Sequence, residues 1–376
     1  MAASLVVMVY GGGKQIKISA APCSTPPEAL TMKRSPPEVR APNTAPDRLR
    51  ALARASAKAA RAVAGRPDAP GDLVAELARS TDWRTRAAVG RREDAPEESL
   101  AALALDPVAH VRRAVAGRLG AGAEVPGAIM LRLSQDADLL VRRTVAAFSG
   151  MPEEVRRVLA KDRDVGVQLN VLRSGASPSV EVLTALSASR SSAVRRGLLL
   201  THYALLPEPI LAQMLNDRDG GVRAAAVGPR TPVEVLIRLA SDPYWPVRCW
   251  VARCAATPES TLSALAEDPE PDVRCEAVKH PRLPGDAVLK RVRDPMPSVR
   301  AAAALSDKLS IEAYEELLRL PHYDVWWALA ANPAAPPSVL RALHREHAAV
   351  DRLGRIAARL AENPSMPKDV LETLPR

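Results

Sequence analysis

The feature that most constrains this chain is an internal repeat of about 26 residues. Three segments show it plainly, at 231–248, 257–274 and 283–300. Each has a Pro, spaced Leu or Val residues, an Asp-Pro pair and a Val-Arg pair in the same order. Repetition at such a period is typical of solenoids, in which each repeat contacts only its neighbours. A chain of 376 residues is long for one compact core but ordinary for such an array.

The arginine of the Val-Arg pair, or the residue that replaces it, aligns twelve copies of the repeat, and we call it the anchor. The first and last copies are degenerate, as terminal repeats usually are. Three spacings are longer than the rest and predict loop insertions near 120–125, 200–206 and 344–354. The twelve anchors are Ala60, Arg86, Arg112, Arg142, Gln168, Arg195, Arg223, Arg248, Arg274, Arg300, Trp326 and Ala357.

Each copy predicts two short helices. The first begins at a Pro that often follows Ser or Thr, whose hydroxyl can cap the helix, and it ends at Asp-Pro, because Pro disfavours helical geometry in the preceding residue. The second carries the anchor, with apolar residues one before it and three and four after it, such as Val273, Ala277 and Val278. Helices this short are not stable alone in water, so they must stack. We therefore predict an all-α solenoid of about twelve two-helix repeats.

The array occupies residues 46–376 in this interpretation. Residues 1–45 are rich in Pro, Gly, Ser and Thr, and we expect a disordered tail. No run of apolar residues is long enough to predict membrane insertion. The four cysteines form neither a zinc-like nor a disulfide-dense pattern, so a reducing cytoplasm fits best.

The formal net charge of +9 permits an anionic partner without requiring one. Only nine of the 52 basic residues are lysines, and abundant Arg and Ala are typical of a GC-rich genome. Part of the positive charge can therefore reflect codon usage rather than function.

The copy at 324–336, which reads D-V-W-W-A-L-A-A-N-P-A-A-P, resembles the leucine-rich repeat variant family of bacterial proteins. The resemblance extends over nearly the whole array. It implies a right-handed superhelix of short helices without strands. A member of that family carries an iron–sulfur cluster on N-terminal cysteines, but this chain has only Cys23 there, so we predict no cofactor.

The repeat is also similar to HEAT repeats, in which an Asp and an Arg six residues apart tie the turn to the second helix. That resemblance implies a protein-binding scaffold, or in some members a DNA-binding one. We interpret the anchor arginines as structural, in charge-assisted hydrogen bonds, rather than as a binding site. The matching pairs are Asp106 and Arg112, Asp136 and Arg142, Asp217 and Arg223, Asp242 and Arg248, Asp268 and Arg274, and Asp294 and Arg300.

A second basic set lies one and five residues after the anchors, where two positions one turn apart share a helix face. Stacked repeats would align these residues in a ladder for which the consensus supplies no fixed counter-charge. The ladder is either an anionic-partner site or a solvated face. Its members are Arg61, Arg91, Arg113, Arg143, Arg173, Arg196, Arg253 and Lys279.

The aromatic residues concentrate late in the chain, and Trp250 and Trp327 lie beside anchors. They either fill the core locally or form a hot spot for a partner. No nucleophile–base pair or metal-ligand spacing is present, and no small-molecule substrate is evident. The sequence therefore favours a non-enzymatic scaffold that binds a protein partner, with a nucleic-acid-binding solenoid as the alternative.

Overall fold

A computed structural model describes residues 44–121, 125–174, 177–320, 322–347 and 354–372. These residues form twenty-five α-helices, two short 3₁₀-helices and no strand. The helices alternate as first and second helices of twelve repeats, and α25 is a first helix without a partner. The predicted all-α solenoid is confirmed. The predicted tail, residues 1–45, lies outside the described residues except for its last two positions.

The chain divides into two compact units, residues 1–133 and 134–376. In the first unit, second helices α2, α4 and α6 pack in succession. The bounds there are α1 Pro46–Ala55, α2 Ala57–Ala64, α3 Gly71–Leu77, α4 Trp83–Gly90, α5 Glu97–Leu103 and α6 Ala109–Gly117, followed by a 3₁₀-helix at Arg118–Ala121. Helix α7, Gly127–Ser134, ends at the unit boundary.

The second unit contains the remaining helices, and each second helix from α8 to α22 contacts the next second helix. The bounds are α8 Leu139–Ala146, α9 Glu153–Ala160, α10 Val165–Arg173, α11 Val180–Ser187, α12 Ser192–His202, α13 Glu208–Leu215, α14 Gly220–Ala226, α15 Val233–Leu239, α16 Trp245–Arg253, α17 Glu259–Leu265, α18 Pro271–Val278, α19 Gly285–Arg291, α20 Pro297–Ala304, α21 Ile311–Arg319, α22 Tyr323–Ala331, α23 Pro337–His347, α24 Arg355–Ala361 and α25 Lys368–Leu371.

The core consists of the apolar positions around each anchor and the Leu or Val residues of the first helices. Val273 and Ala277 of α18, and Leu262 of α17, are wholly buried. Small residues permit close helix approach, since a Cβ added at Gly90 would lie 3.2 Å from Val115 Cγ2 of the next second helix. This packing joins consecutive repeats into one stack within each unit.

Two local expectations are wrong. The hydroxyls of Thr231 and Thr257 do not cap first helices: Thr231 Oγ1 accepts from the N–H of Gly228, and Thr257 Oγ1 donates to the Val251 carbonyl. The following Pro is itself the N-cap residue. The insertion near 200–206 is not a loop, because it lengthens α12 and adds the 3₁₀-helix Tyr203–Leu205.

No helix among the described residues is long and apolar enough to cross a membrane.

Candidate partner-binding surface

The anchor arginines connect neighbouring repeats. Arg274 Nη1 donates to the main-chain oxygen of Asp268, in its own repeat, at 2.9 Å. Its Nε and Nη2 donate to both carboxylate oxygens of Asp294, in the next repeat, at 2.8 and 2.9 Å. The Asp268 carboxylate is bound by Arg248 of the preceding repeat. The HEAT-like expectation that Asp268 and Arg274 pair through their side chains is therefore wrong.

The same pairing from one repeat to the next recurs in both units, and the paired groups are largely buried. Each pair joins an anchor to the Asp that follows it by about 20 residues in the next repeat. These arginines are structural, as interpreted from the sequence. The pairs are Arg86 with Asp106, Arg142 with Asp162, Arg195 with Asp217, Arg223 with Asp242, Arg248 with Asp268 and Arg274 with Asp294.

Stability should fall in acid because these carboxylates are bound. Burial disfavours the charge of Asp294, but hydrogen bonds, led by the one from Arg274, hold its pKa below the usual value. The pKa values of Asp217 and Asp242 are lowered in the same way. Such groups stabilise fully above the ordinary carboxyl pKa of about 3.9, and that contribution is lost as the pH falls through the folded-state value. We expect the urea concentration at the midpoint of unfolding, measured by circular dichroism, to decrease as the pH is lowered below about 4. An increase over the same pH range would contradict this.

Four anchors are neutral residues, and two of these, Gln168 and Trp326, hydrogen-bond through their side chains. Gln168 Nε2 donates to the Ala160 carbonyl at 3.1 Å, and its Oε1 accepts from Ser189 Oγ of the next repeat at 2.7 Å. Trp326 is buried, and its indole N–H donates to the Leu318 carbonyl at 3.2 Å. The tryptophan that stands in place of the anchor arginine at position 326 therefore fills the core.

Two arginines of the predicted ladder, Arg61 and Arg143, have counter-charges that the consensus did not reveal. Arg143 donates from Nε and Nη2 to both carboxylate oxygens of Asp164, at 3.0 Å each. Arg61 pairs with Asp82 at 3.2 Å. Both aspartates lie in the next repeat, where they cap the second helix. The expectation of no fixed counter-charge is therefore wrong at these two positions.

Later members of the ladder share one carboxylate. Glu276 of α18 accepts from Arg253 Nε at 2.6 Å and from Lys279 Nζ at 3.1 Å. Burial disfavours the charge of Glu276, but hydrogen bonds from both cations outweigh it and lower its pKa. Arg253 and Lys279 remain half-exposed. Glu276 itself was not predicted, because its importance depends on the neighbouring helix.

The remaining ladder residues differ in their surroundings. Arg91, Arg173 and Arg196 are exposed and make no ion pair with any described residue. Arg113 is half-buried in α6. The predicted ladder is thus not a uniform row: some members are held by carboxylates, and others are open to solvent.

The two tryptophans that lie beside anchors, Trp250 and Trp327, do not form one cluster. Trp250 is 45% exposed on α16, and Trp327 is 39% exposed on α22. Three helix-to-helix steps separate these helices, a distance of roughly 25–30 Å at the usual packing distance. Each ring has an arginine against it: the guanidinium carbon of Arg253 lies 5.4 Å from the Trp250 ring centroid, and that of Arg359 lies 5.1 Å from the Trp327 centroid.

Between the two tryptophans, Lys279 directly follows α18 and Leu305, which is 46% exposed, directly follows α20. We call the surface formed by Trp250, Arg253, Lys279, Leu305, Trp327 and Arg359 the second-helix face. Sequence reasoning missed Leu305 and Arg359. The position five residues after the anchor would have indicated Leu305, but the aromatic partner of Arg359 required the stacking of α22 and α24.

Among the described residues, no group of three His, Cys, Asp or Glu side chains is arranged to hold a metal ion. Cys249, Cys254 and Cys275 are free thiols. Burial raises the pKa of Cys249 to about 12, with further contributions from nearby carboxylates, which makes it a poor nucleophile at neutral pH.

Comparison with known proteins finds solved structures to which this chain is similar. The chain is similar to a leucine-rich repeat variant described as having a novel repetitive structural motif. The two are 28% identical, over 67% of this chain and 87% of that chain, with a TM-score of 0.37.

Two further solved structures are similar to this chain at low identity. Kap121p is 12% identical, over 84% of this chain and 44% of that chain, with a TM-score of 0.43. Importin beta is 13% identical, over 92% of this chain and 52% of that chain, with a TM-score of 0.35. This chain therefore spans about half the length of either protein. No protein-family model matches the sequence, and no curated protein matches it.

Proposed function

We propose that this protein is a non-enzymatic scaffold, in the bacterial cytoplasm, that binds a protein partner on the second-helix face of its second unit. Residues 1–45 would be a tail outside the repeat array. The observation that carries the proposal is the pair of exposed tryptophans, each with an arginine against its ring. Tryptophan and arginine are the residue types most enriched at interface hot spots.

The arginines also prepare the tryptophans for binding. The attraction between a cation and an exposed aromatic ring is worth about 0.5–1 kcal/mol. This attraction restricts the motion of both side chains before a partner binds. Glu276 restrains Arg253 and Lys279 further. Side chains that are already ordered lose less conformational freedom on binding. The face from α16 to α24 extends for roughly 30–40 Å at usual helix spacing, which suits an extended partner segment.

The test compares the Trp250→Ala/Trp327→Ala double variant with Trp83→Ala in affinity capture followed by quantitative mass spectrometry. Trp83 is a matched control, since Arg84 lies 4.7 Å from its ring centroid but the residue is in the other unit. Loss of a single hot spot weakens binding by about 2 kcal/mol, which corresponds to about 30-fold. We therefore expect the double variant to capture at least about 30-fold less of a protein that the wild type captures. Trp83→Ala should capture as much of it as the wild type. Equal capture by the two variants would refute the proposed face.

The alternative, a nucleic-acid-binding solenoid, is favoured by the three exposed arginines without ion pairs, Arg91, Arg173 and Arg196. Phosphate binding through such residues is steeply salt-dependent. Nuclease treatment before capture separates the two functions: a partner that persists is bound as protein, and one that disappears was bridged by nucleic acid.

A further inference from the structure

Three exposed arginines lie at matching turns of consecutive repeats in the second unit. Arg163, Arg190 and Arg218 each occupy the position five residues before an anchor, between a first and a second helix. The preceding residue is held by the anchor network: Asp162 is bound by Arg142 and Asp217 by Arg195. The turns are therefore fixed in position, while the arginines that follow point away from that network into solvent.

None of the three arginines makes an ion pair with a described residue. Arg218 Nη2 instead donates to the Arg190 main-chain oxygen at 3.4 Å, which shows that adjacent turns lie side by side. Their second helices α10, α12 and α14 contact one another in order. At usual helix spacing, the three charges recur on the order of every 10 Å.

The next repeat adds two aromatic side chains to the same edge. Tyr244 is 45% exposed and Trp245 is 37% exposed, at the start of α16. Tyr244 lies against Gly220 of the preceding repeat, because a Cβ there would be 2.5 Å from Tyr244 Cδ1. Since Gly220 follows Arg218 by two residues, the charged and aromatic parts are continuous. We call Arg163, Arg190, Arg218, Tyr244 and Trp245 the turn edge.

We propose that the turn edge binds an extended acidic peptide segment of a protein partner. In the polyproline II conformation, three residues advance about 9 Å and return the side chain to the same face, so a carboxylate at every third residue matches the spacing of the three arginines. Arg binds carboxylates through paired N–H donors, which suits Arg163, Arg190 and Arg218. An apolar side chain one further step along the peptide packs on Tyr244 and Trp245. This surface is separate from the second-helix face, so either can exist without the other.

Flanking carboxylates favour a peptide over a nucleic acid. Arg163 lies between Asp162 and Asp164, and Arg218 lies between Asp217 and Asp219. Asp162, Asp164 and Asp217 are already paired with Arg142, Arg143 and Arg195, whereas Asp219, the N-cap of α14, makes no ion pair with a described residue. A phosphodiester strand carries a charge at every nucleotide and would meet Asp219 as well as the arginines. A peptide with sparse carboxylates places its charges on the arginines alone, and this avoids the like-charge repulsion.

The test uses the full chain and two fluorescein-labelled peptides, each with four Asp residues placed at every third position. One peptide has Leu-Trp at its N-terminal end and the other has Leu-Trp at its C-terminal end, so that both chain directions are tested. Fluorescence anisotropy at low salt gives the Kd values. We expect one peptide to bind and its Asn-substituted counterpart not to bind. The Arg163→Gln/Arg190→Gln/Arg218→Gln variant removes three exposed ion pairs with the peptide. At about 0.5 kcal/mol for each pair, its Kd should rise about tenfold.

The matched control, Arg79→Gln/Arg132→Gln/Arg157→Gln, removes three exposed arginines that also make no ion pair with a described residue and lie off both the turn edge and the ladder. It should leave the Kd unchanged. Tyr244→Ala/Trp245→Ala should weaken the Leu-Trp peptide but not a peptide that ends in Gly-Ser. The proposal is overturned if neither peptide binds the wild type, if both triple variants weaken binding equally, or if a 15-nucleotide oligothymidine binds more tightly than the peptides and loses affinity in the turn-edge variant. None of these outcomes depends on Trp250 or Trp327.

Discussion

A double-mutant cycle on Arg274 and Asp294 should give strong coupling between residues of different repeats. The Arg274 side chain is 10% exposed and that of Asp294 is wholly buried, with Nε and Oδ2 at 2.8 Å. Breaking a buried pair leaves one charge uncompensated and costs about 3–5 kcal/mol. Asp294→Asn should destabilise the second unit by that order, and Arg274→Gln by less, because Arg291 Nη1 remains 3.5 Å from Asp294 Oδ2. The double variant should be less destabilised than the sum of the two, with a coupling energy of about 1–3 kcal/mol in urea unfolding.

The control is the same cycle on Arg274 and Asp268, six residues away in the sequence. Arg274 contacts only the main-chain oxygen of Asp268, which asparagine retains, whereas the Asp268 carboxylate binds Arg248. Asp268→Asn should therefore destabilise the chain, but nearly additively with Arg274→Gln. Larger coupling with Asp268 than with Asp294 would mean that the pair forms within a repeat and that the pairing between repeats is wrong.

Periodicity explains why the sequence predicts the helices but not this pairing. Repeat length, Pro positions and apolar spacing are local properties, so both helices of each repeat could be predicted. In a repeat of about 26 residues, however, an Asp six residues before one Arg is also about 20 residues after the previous Arg. The six-residue separation is the more constant of the two, since the separation between the paired Arg and Asp varies from 19 to 22 residues, so spacing alone indicates the wrong partner. The choice is made by helix stacking, which brings Arg274 Nε and Nη2 to the next turn.

The candidate surface was only partly predictable for a related reason. A covariation within the chain indicates the role of the ladder arginines. Arg143 is followed 21 residues later by the capping Asp164, whereas Ala224, at the equivalent position of a later repeat, is followed by the uncharged cap Tyr244. Arg–aromatic contacts leave no such signal. Trp326 and Trp327 are adjacent in sequence, yet the first is buried and the second exposed.

Asn332→Asp should be among the most destabilising single substitutions of similar size in the second unit. Asn332 is 1% exposed, and its Nδ2 donates to the main-chain oxygens of Ala304 and Ser306, in the preceding repeat, at 2.8 and 3.0 Å. A carboxylate cannot donate there and would face two carbonyl oxygens in a buried site. We expect a loss of at least about 3 kcal/mol at neutral pH, measured by urea unfolding.

The pH dependence of the Asn332→Asp variant distinguishes this explanation from a general packing defect. Burial without a cation would raise the pKa of the new carboxyl in the folded state above its ordinary value of about 3.9. The loss of unfolding free energy should be greatest above that raised pKa and should diminish as the pH falls through it. The protonated carboxyl can then donate to the main-chain oxygen of Ala304 or Ser306. Asn216→Asp is the matched control, since Asn216 is exposed and its Oδ1 already accepts from Arg238 at 2.6 Å. That substitution should be neutral or slightly stabilising. If Asn332→Asp were as mild as Asn216→Asp, the Asn332 hydrogen bonds would not hold these two repeats together.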